Sequence, residues 1–417
     1  MSFREIFKNR SFSCLWLGQV ISQFGDRLHQ MALIGLMYQK MPGSSLQLAK
    51  LFSFMILPIF ILGPVAGVYV DRWSKKSTMF FSDILRGILV FLIPFYFLKL
   101  KTLIPIYIVV FFVSCISRFF VPAKLSIIPE LVRTDQLHLA NSLISTTGMI
   151  GAMLGFGLGG FIVEKVGVKF TFLLDSISFF ISAGLISLVV SAKDSEFRPK
   201  DIILLGEELM SKVKNRFIKE LREGFFYLFK EKASFFTLKK LFVLSSGVGA
   251  LYTTLIVFIQ KTLGSATRDL GLIAVMFGIG LFLSSLVYGK IGKKISIQKI
   301  LNFFLLAVSL FLLMFIILLK KFPSLKLSLI SSFFLGSLIS PIIIGANTLI
   351  HKSCQGVFHG RIFSCMEVIV HFGFLFFMIL SSWIAHFIGE FKVILGTSFF
   401  IAIYSFFGIF NKYVKNT

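Results

Sequence analysis

The chain is 417 residues long, 56% hydrophobic and 15% charged, with a formal net charge of +24. Soluble domains average about 25% charged residues, and a water-soluble fold of this size has no way to hide so much apolar surface, so a soluble enzyme or binding domain is excluded. A soluble protein this basic would suggest nucleic acid. Here, however, Lys and Arg sit in short gaps between apolar runs, so membrane topology and anionic lipid account for them and no nucleic-acid partner is expected.

A helix needs about 20 apolar residues to cross the hydrocarbon core. The sequence predicts twelve such spans, at 12–38, 46–70, 78–98, 103–121, 140–163, 169–191, 238–260, 270–289, 299–319, 327–349, 362–386 and 392–410. Helices are the only reading, because open strands leave their backbone unsatisfied in lipid. The leader at 1–10 is charged, but the run behind it passes position 35 and contains Asp26 and Arg27, which makes it a retained first helix rather than a cleavable signal. With the N-terminus inside, the termini and the even-numbered gaps carry most of the Lys and Arg. Both termini are therefore expected in the cytoplasm and the chain in the plasma membrane. Cys14, Cys115, Cys354 and Cys365 are isolated in or beside apolar runs and read as small buried hydrophobes, not as metal ligands.

Residues 192–237 are long and charged, with six spans on each side. They divide the chain into an N-terminal six-helix bundle at 1–191, a cytoplasmic linker at 192–237 and a C-terminal six-helix bundle at 238–417. Within the linker, Phe217, Leu221, Phe225 and Leu228 recur at helical spacing, with Lys219, Arg222 and Lys230 between them. That pattern predicts an amphipathic helix on the cytoplasmic leaflet, a solvated linker being the alternative. The halves also echo each other. Residues 67–76 read GVYVDRWSKK after the second span, and residues 285–294 read SLVYGKIGKK after the eighth. A parallel six-helix repeat is a transporter architecture, with substrate bound near the midplane between the halves.

Twelve spans in two sixes with this loop resemble the major facilitator superfamily, whose G-x-x-x-D-R-x-x-K/R-K/R signature is matched by Gly67, Asp71, Arg72, Lys75 and Lys76. Further stretches narrow the branch: FGDRLHQMAL at 24–33, SDILRG at 82–87, FVPAKLSIIPELVRTDQLHLANSL at 120–143, LDSISFFISA at 174–183, LREGFFYLF at 221–229 and GRIFSCMEVI at 360–369. Together they resemble the macrolide-efflux and enterobactin-exporter branch over nearly the whole chain. That resemblance implies an all-α integral membrane fold of twelve transmembrane helices in two bundles. It also implies export, commonly proton-coupled, of hydrophobic or amphipathic solutes. In span five, Gly151, Gly155, Gly159 and Gly160 resemble the antiporter motif G-x-x-x-G-P-x-x-G-G, with Phe156 where the motif has Pro. The glycines allow close helix packing.

Ionisable groups at membrane depth are expensive, so each is a functional candidate. The resemblance implies that Asp71 meets the start of span eleven, near Gly360–Phe363, and latches the cytoplasmic side, while Lys75 and Lys76 also fit plain positive-inside topology. Asp83 and Arg86 lie three apart on one face of span three and, with Arg118 of span four, suit a buried charge network, either structural or switching. At about 1.5 Å per residue from Phe12, Asp26 lies roughly 20 Å into span one, where an acid suits proton coupling. Asp26 and its neighbour Arg27 point about 100° apart on the helix and are not expected to pair. Glu367 and His371, four apart on span eleven, form a second proton-coupling candidate or a polar interface pair. A lone amide facing lipid lacks partners, which makes Gln19, Gln23, Asn141 and Asn347 cavity candidates, although Asn141 also suits a helix cap.

No nucleotide-binding loop, HExxH or G-x-S-x-G occurs, so no enzymatic activity, metal or cofactor is expected. The expected function is proton-coupled efflux of a small amphipathic compound by a monomer in contact with membrane lipids. A lysophospholipid flippase or an ion exporter on the same fold, or a non-transporting membrane receptor, are the alternatives.

Overall fold

The computed structural model describes residues 3–100, 102–190, 232–291, 297–353 and 359–410. The amphipathic stretch expected at 217–228 lies outside them. Every regular element among the described residues is helical. After a short helix at Phe3–Phe7 come α1 (Arg10–Lys40), α2 (Ser45–Arg72), α3 (Lys75–Phe95), α4 (Ile104–Leu131), α5 (Leu137–Val166) and α6 (Val168–Ser187). The second set is α7 (Lys232–Leu263), α8 (Arg268–Ile291), α9 (Ile297–Lys321), α10 (Leu325–Ser353), α11 (His359–Ile388) and α12 (Glu390–Phe410).

Eleven of these helices are long and apolar enough to cross a membrane. The twelfth, α1, has the length, at 31 residues, but carries a polar stripe that lowers its hydropathy. Large apolar side chains stay on the outside, as lipid permits: Phe400 and Phe407 are 65% and 68% exposed, whereas Phe12, Phe172 and Phe179 are fully buried.

One boundary differs from the sequence reading in a way that matters. α4 does not stop at 121 but runs through Pro122 and Pro129 to Leu131. Proline has no N–H for the carbonyl four residues back, which ends most helices in water. Within a membrane bundle, neighbouring groups satisfy the freed carbonyl and the helix continues. Arg118 therefore sits in mid-helix rather than near an end, and Lys124 is helical rather than part of a loop.

The chain forms two compact units, Met1–Leu36 with Leu51–Phe217, and Met37–Lys50 with Ile218–Thr417. Each repeats the same pairing. In the first, Ser176 of α6 donates to the Gly87 carbonyl of α3 at 2.8 Å, Phe54 of α2 stacks on Tyr107 of α4 at 5.5 Å, and Gly155 of α5 abuts Arg27 of α1. In the second, α9 meets α12 through the Asn302 amide on the Gly408 carbonyl at 2.8 Å. There α8 meets α10 through Ser284 on the Ser337 carbonyl at 2.7 Å, and α7 meets α11 through Thr253 and Ser382 at 2.6 Å. Helix n and helix n+6 thus have equivalent partners, as a parallel repeat requires.

The turns repeat too. Gly43 and Gly264 close α1–α2 and α7–α8, while Gly167 and Gly389 close α5–α6 and α11–α12, all four with positive φ between 69° and 89°. A side chain is strained in that region, so these turns, one residue long at Gly167 and Gly389 and four at the Gly43 and Gly264 junctions, call for glycine there. In the second unit the Gly43 turn rests on Lys261, whose ammonium bridges to Glu390 at 2.8 Å.

Candidate functional site

The first unit lines a partly open cavity of about 310 Å³. Its main wall is one face of α1, where Gln19, Ser22, Gln23, Asp26, Arg27 and Gln30 follow each other at spacings of three and four. α4 supplies the facing wall with Ser114, Ser117, Arg118 and Lys124, again at helical spacing. Met55 of α2 and Arg86 of α3 close the space. The polar stripe that makes α1 less apolar than the other helices is therefore the surface that this cavity needs.

Beside the cavity, Asp83 and Arg86 form a direct ion pair, with Asp83 fully buried and Arg86 3% exposed. The guanidinium is held between the rings of Phe120 and Phe179, at 4.5 and 4.4 Å, and reaches Ser117 Oγ at 3.4 Å. Stacking of this kind suits Arg rather than Lys because the guanidinium is planar and weakly hydrated. Removing one partner of a buried pair leaves an uncompensated charge and typically costs about 3–5 kcal/mol. Asp83→Ala is accordingly expected to lower the melting temperature of the purified protein sharply. Asp83→Ala with Arg86→Met should recover most of it, and a double variant no more stable than the single one would refute the assignment.

Arg27 is positioned by the glycine face of α5. A β-carbon at Gly155 would lie 2.6 Å from the Arg27 β-carbon, and one at Gly148 would lie 3.0 Å from Gln23 Oε1. Gly151, Gly159 and Gly160 are buried on the same helix. The Arg27 guanidinium then lies over the Phe156 ring at 5.2 Å and donates to Gln30 Oε1 at 3.2 Å. Asp26 is surrounded by the charges of Arg86, Asp175, Arg27 and His29, without a direct ion pair among the described residues. His29 Nδ1 lies 2.9 Å from Asp175 Oδ2 of α6 without the alignment of a hydrogen bond, both groups being buried. Gly25 makes this approach possible, since a β-carbon there would lie 2.7 Å from Asp175 Oδ1.

The fold thus brings together residues that the sequence ranked under separate headings. Gln19, Gln23, Asp26, Arg86 and Arg118 share one cavity. Asn141 and Asn347 are exposed and lie outside it. His371 directs Nδ1 to the backbone carbonyl of Glu367 at 2.8 Å, while the Glu367 side chain is exposed. Lys75 meets Glu130 at the end of α4, with nitrogen and oxygen 3.6 Å apart. The side chains of Asp71, Arg72 and residues 360–363 and the surroundings of Gly67 are not described, and Lys293 and Lys294 lie outside the described residues. His29, Gln30 and Lys124 were not singled out from sequence. Gln30 and His29 could have been found by following the α1 stripe one turn further; Lys124 lies beyond the predicted end of the fourth span at 121.

Comparison with known proteins agrees with this architecture. Residues 4–337 match the transmembrane secretion effector family of the major facilitator superfamily. The uncharacterized transporter YkuC of Bacillus subtilis is 24% identical over 365 residues, 86% of this chain and 81% of that one. Macrolide efflux protein A of Streptococcus pyogenes is 24% identical over 293 residues, 68% of this chain and 67% of that one. YfiS of B. subtilis is 30% identical over 181 residues, and that match spans 42% of its length. Among solved structures, an inward-facing bacterial homologue of the iron transporter ferroportin superposes with a TM-score of 0.74 at 12% identity, over 99% of this chain and all of that one. The nucleoside transporter NupG gives 0.71 at 13%, over 97% and 99%. The chain belongs to the transmembrane secretion effector family, in the macrolide-efflux-like part of the major facilitator superfamily, and is a multi-pass membrane transporter rather than an enzyme.

Proposed function

We propose that this chain is a secondary active transporter that exports small amphipathic or hydrophobic compounds across the cytoplasmic membrane by alternating access. Protons drive it, both termini are cytoplasmic, and it works as a monomer surrounded by lipid. The observation that carries this reading is the polar, charge-lined cavity among otherwise apolar helices. Charges at membrane depth cost several kcal/mol each and persist where they serve a pathway or a relay. Similarity to a macrolide efflux protein supports export and an amphipathic cargo.

In this reading the functional halves are 1–191 and 238–417, joined by 192–237. Gln19 and Gln23 contact cargo, and Asp26 carries the coupling proton, with Glu367 and His371 as the second site for one. Gly67, Asp71, Arg72, Lys75 and Lys76 form the cytoplasmic gate, to which Asp83, Arg86 and Arg118 transmit occupancy. Gly151, Gly155, Gly159 and Gly160 hold α5 against α1.

Everted vesicles test this. A screen of amphipathic compounds under an imposed pH gradient, acid inside, should return at least one that accumulates, and a protonophore should collapse the accumulation. Absence of flux and of exchange under every gradient would leave a non-transporting membrane scaffold instead.

A further inference from the structure

The cavity has a charge of its own, and it is positive. Its lining contains four basic side chains, Arg27, Arg86, Arg118 and Lys124, against one carboxylate, Asp26. Asp83 outside the lining matches Arg86, and Asp175 faces His29. Arg27 and Lys124 then face Asp26 as the carboxylate of the lining. The partners of Arg27 are a ring and an amide, neither of which offsets its charge. The polar groups around it point the same way. Gln19 is 1% exposed, lines the cavity, and its Nε2 has no hydrogen-bond partner. A buried amide donor without an acceptor is a costly arrangement that a ligand oxygen would relieve. Ser114, on the facing helix, presents a further hydroxyl.

We propose that this cavity binds an acidic head group, a carboxylate or a phosphate, of an amphipathic molecule, through Arg27, Lys124 and the Gln19 amide. The inference rests on the export reading for its cargo role, but the binding chemistry stands on the cavity alone. Planar guanidinium suits bidentate oxygen anions, and Lys adds a point charge. A cavity of about 310 Å³ takes the head group and the first part of a chain rather than a large macrocycle.

The test uses the full chain in nanodiscs and three probes of equal chain length: octanoate, octyl phosphate and octylammonium. Binding is read by scintillation proximity with radiolabelled octanoate and by competition with the other two. Octanoate or octyl phosphate should bind, and octylammonium should compete at least about tenfold more weakly. Arg27→Gln and Lys124→Gln should each weaken anion binding about tenfold or more, the usual scale for a lost charged hydrogen bond. Arg27→Lys, which keeps the charge but not the bidentate fork, should bind more tightly than Arg27→Gln and more weakly than the unaltered protein, and Lys392→Gln, an exposed lysine on α12, should leave binding unchanged. The carboxylate and phosphate arms tell the two head groups apart. Preference for octylammonium, failure of both anions to bind, or full anion binding in a folded Arg27→Gln protein overturns the proposal. Proton-driven export of a cation with no anion binding would sink this inference and leave the export reading intact; anion binding without flux would do the reverse.

Discussion

Asp26→Asn is expected to abolish transport driven by a pH gradient while sparing substrate exchange at equal pH. Asp26 is the one carboxylate in a cavity lining that otherwise offers only neutral and basic groups. An amide keeps its shape and an acceptor oxygen but cannot take up or release a proton. If proton movement is coupled through this side chain, uptake into everted vesicles under a gradient should fall at least about tenfold, to the level of passive leak. Counterflow needs only binding and the conformational cycle, so it should persist. The charge itself is controlled for by Asp26→Glu, which keeps an ionisable group and should retain part of the driven flux. A gradient response in Asp26→Asn equal to that of the unaltered protein would move the coupling elsewhere.

Reading this site from sequence worked where helical periodicity carries the information. Span positions follow from hydropathy, and the α1 residues 19, 23 and 26 fall on one face because 3.6 residues make a turn. The reasoning lost ground in three places, each with a physical cause. Proline ends most helices in water, yet membrane neighbours let α4 continue past the predicted end of the fourth span at 121, and Lys124 went unnoticed with it. The argument that a lone amide must face a cavity names four residues, of which Gln19 and Gln23 line this one; it is weaker toward helix ends, where water is within reach. Asn141, one turn into α5, and Asn347, near the end of α10, are both exposed. Partners across helices are the third case. Phe156 departs from the exporter motif when read along the chain, and only the approach of α5 to α1 reveals it as the ring beneath Arg27. Likewise nothing local to α3 names Phe120 and Phe179 as the two faces that hold Arg86.

The crossing of α8 and α10 should be a sensitive point for stability in the second unit. A β-carbon at Gly280 would collide with the Phe333 carbonyl oxygen and stand 3.0 Å from the Ser337 nitrogen; one at Gly336 would collide with the Phe277 carbonyl oxygen and stand 3.0 Å from the Leu281 nitrogen. The obstructing atoms are backbone on both sides, so no side chain can turn away and the helices themselves must separate. Separation also stretches the bonds that flank the crossing, Ser284 to the Ser337 carbonyl at 2.7 Å and Ser337 to the Gly280 carbonyl at 3.3 Å. Two effects of opposite sign then compete. Gly→Ala inside a helix favours folding by roughly 0.5–1 kcal/mol through backbone entropy. Overpacking costs about 1–3 kcal/mol, and interhelical hydrogen bonds in a membrane contribute about 0.6 kcal/mol each. The second pair should win at this crossing, so Gly280→Ala and Gly336→Ala are each expected to lower the melting temperature, and the Val variants to lower it further. At Gly184 of α6, where no atom lies within 4 Å of the added carbon, only the entropic effect operates, and Ala should be neutral or stabilising. Because one displacement of α8 from α10 relieves both collisions, the double Ala variant should cost less than the sum of the singles. Strict additivity, or Ala at Gly280 melting as high as Ala at Gly184, would mean that the two backbones do not meet there.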